Sequence, residues 1–249
     1  MNETPHSVLV TGGTRGIGRA VALSLANTYK GRLWLNYLHN EREAERTKEL
    51  AEQNGATVET IKANMVFEED IERMCNTVIE STGRLDAIVH CAALTNFRQP
   101  MDLKPRHLDR VLHMNVTPLL TIVQKLKPLL GVGSTVVAIS SLGSVRVVPY
   151  YTAMGVAKAG LEALVRYLAQ ELAPSGVRVN AVSGGLMANE ALTMIPGIHE
   201  MSQAIEARTP MGRLGSPEEI ADIVEFLVSP RSSWIVGQTL IADGGFSLA

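Results

Sequence analysis

Tyr151 and Lys158 stand with six residues between them in the segment 141–158, SLGSVRVVPYYTAMGVAK. A phenol is a weak acid and a hydrogen-bond donor, and a nearby ammonium favours its ionised form. Such a pair can stabilise negative charge as it develops on a substrate oxygen. The position four before Lys158 is Met154, which has no acidic proton, so acid chemistry on this stretch falls to Tyr151 or its neighbour Tyr150. Lys158 lies between Ala157 and Ala159, a setting hard to explain as solvated surface. Tyr151 beside Tyr150 also admits a duller account, packing at a helix entry.

A second chemical element lies near the start of the chain. The apolar run 7–11, SVLVT, reads as a buried strand and leads into Thr11-Gly12-Gly13-Thr14-Arg15-Gly16-Ile17-Gly18, with a helix following to about residue 28. Glycines permit a tight turn and let backbone N–H groups approach a pyrophosphate at the positive end of the helix. Three glycines alone are weak evidence, but here they sit between a strand and a helix at the first crossover, the context that dinucleotide binding requires.

These residues need a scaffold, and the rest of the chain supplies one. Residues 32–37, 57–63, 85–91, 134–140, 177–182 and 239–242 read as further strands, separated by amphipathic stretches such as 41–53 and 68–80. Ser216-Pro217-Glu218-Glu219 opens a late helix, with serine as cap, proline at the first helical position and glutamate three residues after the cap. Alternating strands and helices imply an α/β fold, a doubly wound parallel sheet covered on both faces. One domain over residues 1–249 fits this length. With 23 Lys+Arg against 25 Asp+Glu, no net field draws the molecule to nucleic acid or a membrane. Cys75 and Cys91 make no disulfide framework, no zinc-site spacing stands out among the six histidines, and no secretory leader or membrane span is apparent. A soluble protein in a reducing cytoplasm is the expectation.

The spacing Gly12-x-x-x-Gly16-x-Gly18 resembles that of the short-chain dehydrogenase/reductase family, and the likeness runs along nearly the whole chain. Asn115 matches the helix asparagine of the family's catalytic tetrad, Ser141 its serine and Lys158 its lysine. Residues 180–185, NAVSGG, stand where the family has an asparagine followed by Pro-Gly, and Asp243-Gly244-Gly245 matches its C-terminal signature. The resemblance implies a Rossmann-type sheet of about seven strands and a homotetramer or homodimer. It also has departures. His90-Cys91-Ala92-Ala93 replaces the family's Asn-Asn-Ala-Gly; Asn64 replaces an aspartate near the adenine; Asn189 replaces a threonine. The tyrosine of the usual Tyr-x-x-x-Lys would fall at Met154.

That last departure bears on the reaction. In carbonyl reduction the hydride lands on the carbon bearing the oxygen, so the acid must sit about 1.2 Å, one C=O length, from that carbon. In conjugate reduction of an enoyl thioester it lands on the β-carbon, and charge appears on the thioester oxygen a few Å further along. The oxygen's partner must then be set back from the nicotinamide. Tyr151 is about two helical turns before Lys158, against about one for the missing tyrosine. Tyr-x6-Lys is the arrangement of enoyl-acyl carrier protein reductases in this superfamily. The stretches 140–144, SSLGS, and 222–229, DIVEFLVS, with Asn64 and Gly184-Gly185, resemble most the NADPH-dependent type III form.

By this resemblance Lys158 binds the nicotinamide ribose, Tyr151 meets the thioester oxygen, Ser141 orients substrate or tyrosine, and Asn115 holds a water that relays a proton. Structural alternatives stay open: Ser141 as part of a turn, Asn115 as a cap on a neighbouring strand. The dinucleotide is expected against Gly12, Thr14, Arg15, Gly16, Ile17, Gly18, Tyr37, Asn64, Met65, Cys91, Ala92, Ala93, Lys158, Gly185 and Met187. No Asp or Glu ends the second strand, where Tyr37 stands, and Arg15, helped by Arg42, is placed for a 2′-phosphate. NADPH is therefore expected. The methionine-rich segment 186–211, with Leu186, Met187, Leu192, Met194, Ile195, Pro196, Ile198 and Met201, suits an acyl chain or simple core packing. Arg98, Lys104, Arg106 and His107 form a basic cluster that is either a solvated loop or a contact for an acidic carrier protein. Three functions stay in play: an NADPH-dependent enoyl-thioester reductase acting on acyl carrier protein or CoA substrates, a carbonyl reductase, and a non-catalytic NADPH-binding protein.

Overall fold

A computed structural model describes residues 7–188 and 197–248. Seven strands, β1 (Ser7–Thr11), β2 (Arg32–Tyr37), β3 (Thr57–Lys62), β4 (Ala87–His90), β5 (Thr135–Ser141), β6 (Arg178–Gly184) and β7 (Thr239–Ala242), form one parallel sheet in the order β3-β2-β1-β4-β5-β6-β7. The helices are α1 (Gly16–Tyr29), α2 (Glu41–Gln53), α3 (Glu68–Ser81), α4 (Pro105–Leu126), α5 (Thr152–Leu172), α6 (Ile198–Arg208) and α7 (Pro217–Val228). This is the doubly wound Rossmann-type arrangement that the alternation of elements implied.

Alternation along the strands divides the core. Val8 and Val10 of β1 pack with Val21 and Leu25 of α1 and Val224 of α7, while Leu9, between them, faces Met74 of α3, Ile122 of α4 and Val165 of α5. Both faces of β1 are covered, which is why SVLVT is apolar throughout. The late helix begins as its sequence indicates, the Ser216 N–H donating to Glu219 Oε2 at 2.9 Å. β4 is shorter than the apolar run 85–91, because the Leu85 N–H is taken by Leu129 O at 3.0 Å, outside the sheet. Among the described residues no helix is long and apolar enough to cross a membrane.

Strand order reverses between β1 and β4. The crossovers leave these two strands in opposite directions, opening a crevice above their carboxyl ends, where an open α/β sheet binds its ligands. Thr11 and His90 end those two strands side by side.

Candidate active site

The glycine turn is built for close backbone approach. Gly12 has φ 62°, and a Cβ there would lie 2.9 Å from Ala92 Cα, so the loops after β1 and β4 touch at this point. A Cβ on Gly18 would lie 2.1 Å from the Gly12 oxygen, which seats the first turn of α1 on the loop. Gly16, at φ 50°, faces open space. Arg15 caps α1 without a side-chain capping bond, and the first turn carries no acid. The N–H groups there are free to receive an anion, so the turn fits a dinucleotide pyrophosphate.

Around this turn the expected contact residues separate. Thr14 is buried, its carbonyl taken by Arg19 Nη2 at 2.8 Å and by the Thr47 hydroxyl at 3.1 Å; Arg15 is exposed, and Ile17 is half-buried against the α1–α7 core. Tyr37 ends β2 half-buried, and Cys91, Ala92 and Ala93 follow β4 at the crevice. Asn64 is engaged in its own loop, its Oδ1 accepting from the Val66 N–H at 3.0 Å while its N–H donates to Asp70 at 2.7 Å. Met65 and Met187 are buried, at 2% and 6% exposure, and their side chains pack in the core. Gly185 lies beyond β6, where a Cβ would come within 2.9 Å of Asp243. Asn189, Leu192, Met194, Ile195 and Pro196 lie outside the described residues.

The end of β5 organises the acid chemistry. The Lys158 ammonium, buried on α5, donates to the Ile139 carbonyl at 2.7 Å. Burial pushes its pKa down to about 8, against the raising influence of Cys91 and Glu162. Two residues further along the strand, Ser141 accepts from the Gly143 N–H at 3.3 Å, and its hydroxyl lies near the phenol of Tyr151, the N-cap residue of α5. Burial raises the phenol's pKa and the Ser141 hydroxyl opposes the rise, so at neutral pH Tyr151 is protonated and able to donate. Seven helical steps of about 100° place Tyr151 and Lys158 within about 20° on one face, about 10 Å apart along the axis. Met154 is 2% exposed and packs with Val111, Ala153 and Ala157 between α4 and α5, where it offers nothing to a ligand.

Asn115 is fully buried, and its amide donates to Leu94 O at 2.9 Å and Val111 O at 2.8 Å. Two carbonyl acceptors fix the orientation of the amide, and the side chain holds the loop after β4; its Oδ1 has no partner among the described residues. His90 is likewise buried, with Nδ1 at 2.9 Å from the Thr11 hydroxyl and Nε2 unpartnered. Burial, then the charge of Lys158, pushes its pKa from 6.5 down to about 3. Between those values the unfolded chain binds a proton that the folded one refuses, so folding loses stability as the pH falls through that window. Denaturant titrations at pH 7 and pH 4 are expected to show His90→Asn losing about 3 kcal/mol less than the parent over that interval.

The sequence model of the family described as enoyl-(acyl carrier protein) reductase matches residues 12–247. The chain belongs to this family. Among reductases related to it, 1-cyclohexenylcarbonyl-CoA reductase of Streptomyces collinus is 39% identical over 242 residues, covering 96% of this chain and 86% of that protein. An NADH enoyl-acyl carrier protein reductase of a Nostoc species is 34% identical over 257 residues, covering 100% and 98%. A dehydrogenase/reductase structure from Sinorhizobium meliloti superposes with a TM-score of 0.91 at 28% identity, covering 98% and 96% of the two chains.

Three residues of this reductase-family site escape sequence reasoning. Asn36, a polar residue inside β2, accepts from the Gly12 N–H at 3.1 Å and donates to Ala63 O at 2.9 Å, tying the glycine turn to the next crossover. Its break in an apolar strand was the available signal. Gly143 lies under the Tyr151 ring, where a Cβ would fall 2.5 Å from Cδ1. Glu162 is buried on α5 and accepts a hydrogen bond from the Ser140 hydroxyl.

Proposed function

We propose that this protein reduces the C2–C3 double bond of an enoyl thioester, in fatty acid or related secondary-metabolite biosynthesis, with NADPH as the preferred cofactor. The observation that carries this reading is the placement of the phenols: Tyr151 sits at the helix cap beside Ser141, two turns from Lys158, while the nearer position holds a buried methionine. The names of both reductases support it, one acting on a cyclohexenylcarbonyl-CoA and one on an enoyl-acyl carrier protein.

A reduced nicotinamide, held by the glycine turn and Lys158, would supply the hydride to C3, and the enolate so formed would take its C2 proton from solvent. The chain's own residues do the rest. The Tyr151 hydroxyl donates to the thioester oxygen as enolate charge gathers there, a stabilisation that grows toward the transition state. Ser141 holds the phenol in place, and the buried ammonium of Lys158 favours negative charge nearby. Asn115 fixes the loop after β4, which is joined to the tyrosine segment by the Arg98 N–H donating to Tyr150 O at 2.9 Å.

Beside Tyr150 that loop lines an open groove of about 550 Å³, with Phe97, Met101 and Leu103 as apolar lining and Arg98, Lys104 and Asp102 as charged lining. Apolar walls suit an acyl chain, and the basic groups suit the anionic carriers that deliver it, whether CoA or acyl carrier protein.

For the cofactor, Arg15 is exposed at the start of α1, and Glu43 is neutralised by its ion pair with Arg19, which favours a 2′-phosphate. NADH is the second reading, because Glu41 and Glu45 lie close enough to Tyr37 to raise its phenol pKa after burial does so, and because the Nostoc relative is named for NADH. Initial rates with crotonyl, 1-cyclohexenylcarbonyl and acetoacetyl thioesters, each with both dinucleotides, test the proposal. Oxidation of NADPH by an enoyl thioester is expected, with kcat/KM about tenfold above that for NADH, equivalent to about 1.4 kcal/mol. Turnover of acetoacetyl thioester alone would make this a carbonyl reductase, and binding without turnover a non-catalytic protein.

A further inference from the structure

Three consecutive residues at the end of β5 each meet a side chain of the α5 segment. The Ile139 carbonyl accepts from Lys158, the Ser140 hydroxyl donates to Glu162, and the Ser141 side chain lies near the Tyr151 phenol. Lys158 and Glu162 are one helical turn apart and only 5% and 8% exposed. We propose that Glu162 is a positioning residue, a buried carboxylate pinned by Ser140 that acts as the counter-charge of Lys158 and keeps its ammonium protonated at the end of β5. The proposal rests on the reading of Lys158 as the dinucleotide-holding residue.

A buried ammonium needs a compensating anion, and the groups around Lys158 leave one choice. From the end of β4 come His90 and Cys91; the imidazole is pushed down to about 3 and the thiol up to about 12, so both are neutral at working pH. From β5 come the hydroxyls of Ser140 and Ser141, and from the start of α5 the protonated phenol of Tyr151. Glu162 is the carboxylate in this set, and its charge raises the pKa of Lys158. Glu162 makes no direct ion pair among the described residues; its partner is the Ser140 hydroxyl, which holds it a turn away from Lys158. That leaves the ammonium's donors for the Ile139 carbonyl and for a ligand.

The test is the pH dependence of dinucleotide binding, followed by fluorescence without any thioester, in the parent protein and in Glu162→Gln, Glu162→Met and Glu162→Asp. Parent binding is expected to weaken as the pH rises through about 8. In the two neutral variants the same decline is expected about one pH unit lower, so that binding is about fivefold weaker than the parent's at pH 8 and equal to it at pH 6. Glu162→Asp, which keeps the charge, is expected to retain the parent profile. Either neutral variant suffices if the other fails to fold. A loss of binding that is the same at every pH, or no loss, overturns the proposal, as does a parent profile without the decline. If the profile shifts as stated but no enoyl thioester is turned over, the counter-charge stands and the proposed reaction falls.

Discussion

Replacing Tyr151 by phenylalanine is expected to lower kcat for an enoyl thioester by about 10²–10³-fold, the usual effect of deleting one donor from an oxyanion site. Dinucleotide binding and thermal stability are expected to stay near the parent values. The phenylalanine ring can still pack against Phe97, whose ring centre lies 6.1 Å away, and against the cluster formed by Val111 and Met154. Only the hydroxyl that meets Ser141 is lost. Two controls make the experiment specific. Tyr150→Phe keeps the residue whose backbone is held at φ 62° and removes a hydroxyl from the wall of the neighbouring groove. Met154→Leu changes a side chain sealed between α4 and α5. Both are expected to change kcat less than threefold, within about 0.7 kcal/mol of barrier. If Tyr150→Phe proves as damaging as Tyr151→Phe, the acid has been misassigned and ketone chemistry regains ground.

Gly143→Ala is expected to reproduce much of that loss without touching an ionisable group. An added methyl would fall 2.5 Å from Cδ1 and 2.6 Å from Cε1 of the Tyr151 ring, inside any tolerated contact, so the ring must move. Gly155 closes the other side, since its own Cβ position is 2.7 Å from the Gly143 oxygen and the backbone there has no room to retreat. A displacement of about 1 Å is enough to cost about 10²-fold in rate. The measurement is kcat in a double-mutant cycle. Gly143→Ala alone should lower kcat by about 10–10²-fold, and adding it to Tyr151→Phe should lower kcat little further, because both remove the same contact. Gly160→Ala serves as the comparison, its Cβ meeting only Val116 at 3.6 Å, and is expected to be neutral or slightly stabilising as a helix substitution. Additive losses in the Gly143–Tyr151 cycle would mean that Gly143 acts elsewhere.

Much of this architecture is legible in the amino-acid order. The bounds of β1, β2, β7 and α2 coincide with those read from apolar runs and helical periodicity, because each is flanked by turn residues. The glycine turn, the helix it opens and the spacing from Tyr151 to Lys158 are local facts, and local facts survive folding. That the side chains of Met65 and Met187 pack in the core was less legible, since a methionine beside a loop reads equally as lining or as core. Glu162 was invisible for a related reason: a lone acid on a largely apolar helix reads as a solvated face until its neighbours are known.

Sequence by itself thus determined the doubly wound sheet, the glycine turn between its first strand and helix, and which phenol stands two turns from the lysine. Tertiary structure decided that Ile139 and Ser140 hold Lys158 and Glu162, that Gly143 lies bare beneath the Tyr151 ring, and that His90 is sealed against Thr11. The division follows from range. Propensity and periodicity act over a few neighbouring residues, whereas burial, electrostatic compensation and steric clearance depend on groups that only the crossovers bring together.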